Sequence, residues 1–167
     1  MLTGLYPPTS GDCFIFGYSI RAATRLVYRM LGICPQHDVL YPSLTVSEHL
    51  SLFATLKGVP RSSLPAAVSS MLHEIGLDEK KHALSRALSG GMKRKLSVGC
   101  ALIGGSRAVL LDEPSSGMDP SSRRSMWELL RGAKEGRVLV LTTHYMDEAD
   151  LLADRIAVMS QGKLRCY

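Results

Sequence analysis

At 167 residues the chain has the length of one domain, enough to bury a real core. Its 46% hydrophobic and 21% charged residues are ordinary for a globular protein, and the formal charge of +5 is a mild basic excess. That excess suits a phosphate, an acidic membrane face or nucleic acid, and equally a solvated basic surface.

Cys13, Cys34, Cys100 and Cys166 lie far apart with no CxxC pair, which argues against a metal site and a disulfide framework and for reduced thiols. No apolar run approaches the roughly 18 residues of a membrane span. The first residues lack the basic segment and apolar core of a secretory leader. If the protein serves a membrane, another segment is expected to carry the membrane part.

Met1 to Tyr6, ending at Pro7-Pro8, reads as the last turns of a helix whose start is missing. Thr9-Ser10-Gly11 is a turn, and Asp12 to Phe16 suits one short strand ending at Gly17. Ile20 to Met30 has helical spacing with Arg21, Arg25 and Arg29 on one face, and Leu31 to Cys34 is a brief strand. After the polar loop Pro35-Gln36-His37-Asp38, Thr45 and Glu48 form a capping box for a helix over 44–57. Gly58-Val59-Pro60 stops it, and a second helix over 63–75 ends at Gly76. Residues 45–88 therefore read as a helical insert within an α/β domain.

A helix over 90–103 and an apolar strand over 107–111 follow. Asp119 caps the next helix, with Pro120 at its first position, where a missing N–H costs nothing. Strands at 137–141, 156–160 and 163–166 and a helix at 145–152 complete the chain. The continuous apolar strands predict a parallel sheet buried on both faces.

Four places carry candidate chemistry. Asp112 and Glu113 end an apolar strand, the place where open α/β sheets bind ligands, although Asp-Glu-Pro is also plain turn chemistry. Ser89-Gly90-Gly91 opens a helix with bare N–H groups suited to a phosphate, and Lys93, Arg94 and Lys95 add positive potential. An ordinary N-cap reads the same way in isolation. His144 follows Thr142-Thr143 at the end of the next strand, where a neutral imidazole could bond a phosphate; a lone histidine is more often structural. Gln36, at the edge of the helical insert, means nothing alone.

Together, in this order, these residues resemble the nucleotide-binding domain of an ABC transporter. CPQHD is similar to the Q-loop, LSGGM to the LSGGQ signature with Met92 in place of Gln, and AVLLDEP to the Walker B strand. SGMD is similar to the D-loop and TTH to the switch histidine. The stretches MLTGLYPPTSG, LGICPQHDVLYPSLTVSEHL and THYMDEADLLADRIAVMSQGKLRC resemble the A subfamily, whose members mostly export or flip lipids.

The resemblance implies a P-loop NTPase-type α/β domain with a parallel-sheet core (about 1–35 and 105–167) and a helical signature subdomain (about 45–104). It implies ATP and Mg²⁺ as cofactors. Asp112 and Gln36 would hold Mg²⁺, Glu113 would act as general base, and His144 would contact the γ-phosphate. Ser89, Gly90, Gly91 and Asp119 would face ATP bound by a second, head-to-tail nucleotide-binding domain. The implied partners are that domain and the transmembrane domains of a parent transporter at the cytoplasmic face of a membrane, with lipid reached only through the parent.

The family's GxxGxGK[ST] loop, which cradles the β- and γ-phosphates, has no counterpart among the 167 residues. In the resemblance the chain begins just after that loop, so the N-terminal part of the domain is expected to be missing. The isolated chain is then expected to bind MgATP weakly and not to turn it over. Two alternatives remain: a truncated, non-catalytic product that binds or regulates partners, and a soluble ABC ATPase acting on nucleic acid. Only the basic balance suggests the second, and the membrane-type insert argues against it, so no nucleic-acid partner is expected.

Overall fold

The computed structural model describes residues 1–167. The chain opens in turns where a helix end is predicted. Gly4 N–H donates to the Met1 carbonyl at 2.9 Å, but Gly4 sits at φ +70°. Pro7 and Pro8 then offer no N–H, and the turn does not propagate. Residues 12–16 likewise do not make one strand. They form a small antiparallel hairpin, β1 (Phe14–Ile15) and β2 (Tyr18–Ser19), around Phe16-Gly17. Both turn residues lie at positive φ, 49° and 83°, the two-residue hairpin geometry that matches strand twist.

The first helix, α1 (Thr24–Met30), begins four residues later than the periodicity predicts. Ser19 Oγ accepts the N–H groups of Arg21 and Ala22, holding that stretch in a turn. Arg25 and Arg29 stay on the helix; Arg21 instead donates to the Gly11 carbonyl.

β3 (Leu31–Cys34) leads by the Gln36 loop to α2 (Val46–Leu56). The capping box of α2 is formed in full: Glu48 N–H donates to Thr45 Oγ1, and Thr45 N–H donates to Glu48 Oε2 at 2.7 Å. α3 (Leu64–Glu74) stops where Gly76 turns to φ +64°. Two single 3₁₀ turns, 78–80 and 85–87, lead into α4 (Gly90–Leu102). The second half alternates β4 (Ala108–Asp112), α5 (Pro120–Ala133), β5 (Val138–Thr142) and α6 (Met146–Leu152). β6 (Val158–Ser160) and β7 (Lys163–Cys166) close the chain.

The sheet is parallel, in the order β3-β4-β5. Leu31, Ala108 and Val138 share one row, Ile33, Leu110 and Val140 another, and Asp112 pairs with Thr142. Side chains alternate across a sheet. Val109, Leu111, Leu139 and Leu141 therefore share one face, which joins Leu50, Leu96, Leu102, Met126 and Leu130 in a single apolar core.

The opposite face is not covered as the sequence predicts: Ile33, Val138 and Val140 are 42%, 50% and 47% exposed. The β5 sequence is as apolar as a buried strand, but its residues alternate between exposed and half-buried. β6 and β7 do not extend the sheet. They pair only with each other, turning at Gln161-Gly162, and stay exposed throughout.

α4 approaches the sheet closely. A Cβ built on Gly32 would fall 2.0 Å from the Ala101 carbonyl oxygen, so no larger residue fits beneath this helix. No helix is long and apolar enough to cross a membrane.

Candidate functional site

Parallel pairing of β4 with β5 sets Asp112 opposite Thr142 and brings the two strand-end loops side by side. Thr142 Oγ1 donates to Asp112 Oδ1 at 2.5 Å and accepts the Glu113 N–H at 3.2 Å. The Glu113 N–H also reaches the Thr142 carbonyl at 3.1 Å. One threonine thus fixes both acids. It goes unnoticed in the sequence because its partners lie 30 and 29 residues away; the strand register is the signal that finds it.

Glu113 stands at φ +47°, a left-handed conformation that is costly for a side chain with a Cβ. Leaving the strand at that angle, its carboxylate lies between two groups. Gln36 Nε2 donates to Glu113 Oε2 at 3.3 Å, and His144 Nδ1 is 3.3 Å from Glu113 Oε1. Gln36, Asp112, Glu113 and His144, drawn from three separate loops, therefore meet at one end of the sheet. His144 is 55% and Glu113 27% exposed, so both remain open to a ligand.

The loop carrying Gln36 is held from two sides. His49, fully buried in α2, accepts the Tyr41 N–H on Nε2 at 2.8 Å and has Nδ1 2.8 Å from the Thr45 carbonyl. An acceptor role for Nε2 makes the ring neutral, with Nδ1 as the donor. On the other side Asp38 accepts from Ser97 Oγ at 3.0 Å and lies 3.4 Å from Arg94 Nη1.

Arg94 does not add to the potential at the α4 N-terminus in the way its position suggests. It is 4% exposed and turned inward. Its Nε donates to the Pro114 carbonyl at 3.0 Å, Nη1 to the Pro35 carbonyl at 2.6 Å, and Nη2 to the carbonyls of Asp112 and Glu113 at 2.6 and 3.1 Å. One guanidinium fork therefore joins the signature-bearing helix, the Gln36 loop and the strand end with the two acids. Lys95 is also engaged, donating to Ser125 Oγ at 2.8 Å.

Ser89, Gly90 and Gly91 form a second group. Ser89 Oγ caps α4 by accepting the Met92 N–H at 3.3 Å, and Ser89 and Gly90 are exposed. The first N–H groups of a helix have no partner within it, so those of Gly90 and Gly91 are free to meet an anion. Gly91 also packs on the start of α5: a Cβ there would lie 3.0 Å from Ser122 Oγ and 3.2 Å from Ser122 Cβ.

Asp119 caps α5, its Oδ1 accepting the Ser121 hydroxyl at 2.6 Å and the N–H groups of Ser121 and Ser122 at 3.0 Å each. These bonds, the Ser121 hydroxyl foremost, hold its carboxyl well below the ordinary carboxylate range. No hydrogen bond joins Ser89, Gly90 or Asp119 to the Gln36, Asp112, Glu113 and His144 group. The predicted site residues thus fall into two sets, linked through Arg94.

The ABC transporter family model matches residues 1–116. The human phospholipid-transporting ATPase ABCA3 is 57% identical over 166 residues, covering 99% of this chain and 10% of that protein. The rat ATP-binding cassette sub-family A member 2 is 51% identical over the same length, 7% of its own. The chain thus spans about a tenth or less of these relatives. A solved structure described as an ATP-binding subunit of an ABC transporter superposes with a TM-score of 0.85 at 27% identity, covering 99% of this chain and 69% of that one. The chain belongs to the ABC transporter family and carries the α/β fold of its ATPase domain.

Proposed function

We propose that these residues serve ATP hydrolysis coupled to lipid transport, as two half-sites of an ATPase domain. The meeting of Gln36, Asp112, Glu113 and His144 at one sheet end carries this reading. Glu113 has the chemistry of a general base: a carboxylate open to solvent, its direction fixed by the Gln36 and His144 contacts. His144 lies against the same carboxylate with its imidazole more than half exposed, and from there would contact the γ-phosphate. Both would act on the hydrolytic water and the γ-phosphate together.

Mg²⁺ fits this donor set. No three His, Cys, Asp or Glu side chains converge as a metal cage, and Mg²⁺ is held by one or two carboxylates with water and phosphate oxygens. The Asp112 carboxylate and the Gln36 amide oxygen are the hard oxygen donors that would hold it. When bound, the ion would neutralise charge on the β- and γ-phosphates.

Ser89, Gly90 and Gly91 make no hydrogen bond to this group and suit ATP held by a second nucleotide-binding domain, with Asp119 beside that interface. Phospholipid is the transported class in the name of the human relative, and it is the proposed substrate of a transporter containing this domain. The proposed setting is the cytoplasmic face of a membrane.

The 167 residues contain no GxxGxGK[ST] loop, so the chain alone is proposed to bind MgATP weakly and not to turn it over. Calorimetric titration with MgATP, together with a phosphate-release assay, tests this. Micromolar binding with turnover by the chain alone would overturn the half-site reading. Joining a relative's P-loop segment ahead of Met1 is expected to confer hydrolysis, and Glu113→Gln in that chimera to abolish turnover while MgATP still binds. Undiminished turnover in the variant would remove Glu113 as the base.

A further inference from the structure

Beside the acids, a second arrangement bears on His144. Its side chain is more than half exposed, and its one polar contact is with Glu113. The ring nevertheless has a seat. The Tyr145 ring lies against it, centroids 4.1 Å apart and planes inclined by 38°. The guanidinium of Arg123 lies over Tyr145, with Cζ 4.1 Å from the ring centroid. The three groups form a continuous stack from α5 to the end of β5.

Hydrogen bonding does not explain where Arg123 sits. Its Nε is buried without a partner, and its Nη2 makes one long contact, 3.5 Å to the Met118 carbonyl. A guanidinium with a single long hydrogen bond and its Cζ 4.1 Å from an aromatic centroid is placed by the ring. Arg123 is also tied to the head of α5: its N–H donates to the carbonyl of Asp119, the residue that caps the helix. Tyr145 is held in turn by its own N–H, which donates to Thr143 Oγ1 at 3.0 Å. The backbone on either side of His144 is thus constrained, and the stack supplies the remaining constraint on its ring.

We propose that Arg123 and Tyr145 are a positioning pair for His144, fixing its imidazole against Glu113 and coupling it to the Met118-Asp119 turn. Neither residue reaches the acids; each acts through the histidine. The functional weight of the pair rests on the reading of His144 as a phosphate contact, but its structural content does not.

The test uses the 167-residue chain without nucleotide. The imidazole C–H resonances of its five histidines are recorded by NMR, with His37, His49, His73 and His82 as internal controls. In Tyr145→Leu the ring-current displacement of the His144 signals is expected to vanish, and in Arg123→Met to diminish. Tyr145→Phe, which keeps the aromatic face, is expected to preserve it, while the control signals stay in place in all three. Unmoved His144 signals in either Tyr145→Leu or Arg123→Met, with the amide spectrum still that of the folded chain, would overturn the proposal. So would a loss in Tyr145→Phe equal to that in Tyr145→Leu. Whether His144 meets a phosphate is asked separately, by turnover of His144→Ala in the P-loop chimera. Full turnover there would remove the phosphate role and leave the positioning result standing.

Discussion

Arg94 donates from Nη2 to the carbonyl oxygen of Asp112 at 2.6 Å, across a separation of 18 residues. The contact joins the helix that opens with Ser89-Gly90-Gly91 to the strand that ends in the two acids. It is one of four strong backbone contacts made by a single buried side chain.

Replacing Arg94 should therefore cost more than any surface charge. Arg94→Ala leaves the carbonyls of Pro35, Asp112 and Pro114 without their donor and Asp38 without its cation. Breaking a buried charged network by removing one partner typically costs about 3 kcal/mol or more. Arg94→Lys should recover only part of this, since an ammonium cannot reproduce the fork. Urea unfolding of the three proteins measures it; equal midpoints for Lys and Arg would show that geometry at 94 is immaterial.

Gly91 is required by contact, not by backbone angle. Gly91→Ala places a methyl group 3.0 Å from Ser122 Oγ and 3.2 Å from Ser122 Cβ, and overpacking of this kind costs about 1–3 kcal/mol. The penalty should shrink when Ser122→Gly is added, because that change removes both crowding atoms. A double-mutant cycle by denaturant unfolding gives the coupling, and additive effects would refute the steric account.

The cysteines should separate by reactivity. Burial pushes the Cys34 thiol up to about 11 and the Cys100 thiol up to about 12, leaving little thiolate at neutral pH. Cys166 is exposed and Cys13 partly so. Brief treatment of the native chain with iodoacetamide, read by peptide mass spectrometry, should label Cys166 and Cys13 and spare Cys34 and Cys100 until the chain is unfolded.

Acid should weaken the two helix starts together. Asp119 and Glu48 both titrate below their ordinary range, Asp119 through the Ser121 hydroxyl and Glu48 through the Thr45 N–H. A depressed folded value means stabilisation that is present above the unfolded value, 3.8 for Asp119, and lost as pH falls through the folded one. Asp119→Asn keeps a capping oxygen and removes the charge. Wild type should be the more stable at pH 7, with the gap narrowing below pH 3.8. A gap that stays constant down to pH 2 would contradict the assignment.

Local chemistry was legible in the sequence where both partners lie within one turn. Thr45 with Glu48 and Asp119 with Pro120 place two helix starts correctly, because capping depends on residues two or three apart. The gathering of Gln36, Asp112, Glu113 and His144 was legible only as an ordered set of motifs.

Arg94 was misread because a basic residue near a helix start suggests solvent, whereas its partners lie as far as 59 residues away. The apolar β5 was read as buried on both faces because composition does not say whether a helix covers a strand. Phe16 concealed a hairpin because a large side chain at positive φ is contrary to its intrinsic preference, while the Arg107 guanidinium lies 4.1 Å from its ring.

The left-handed backbone at Glu113 sets stability against the proposed chemistry at a single position. An L-residue in that conformation costs about 1–2 kcal/mol, which glycine would avoid. Screening variants of this chain for heat resistance alone should therefore favour glycine at 113, and the hardier protein would lack the carboxylate that the surrounding residues hold in place. Thermal selection and selection for the proposed general base would pull this residue in opposite directions.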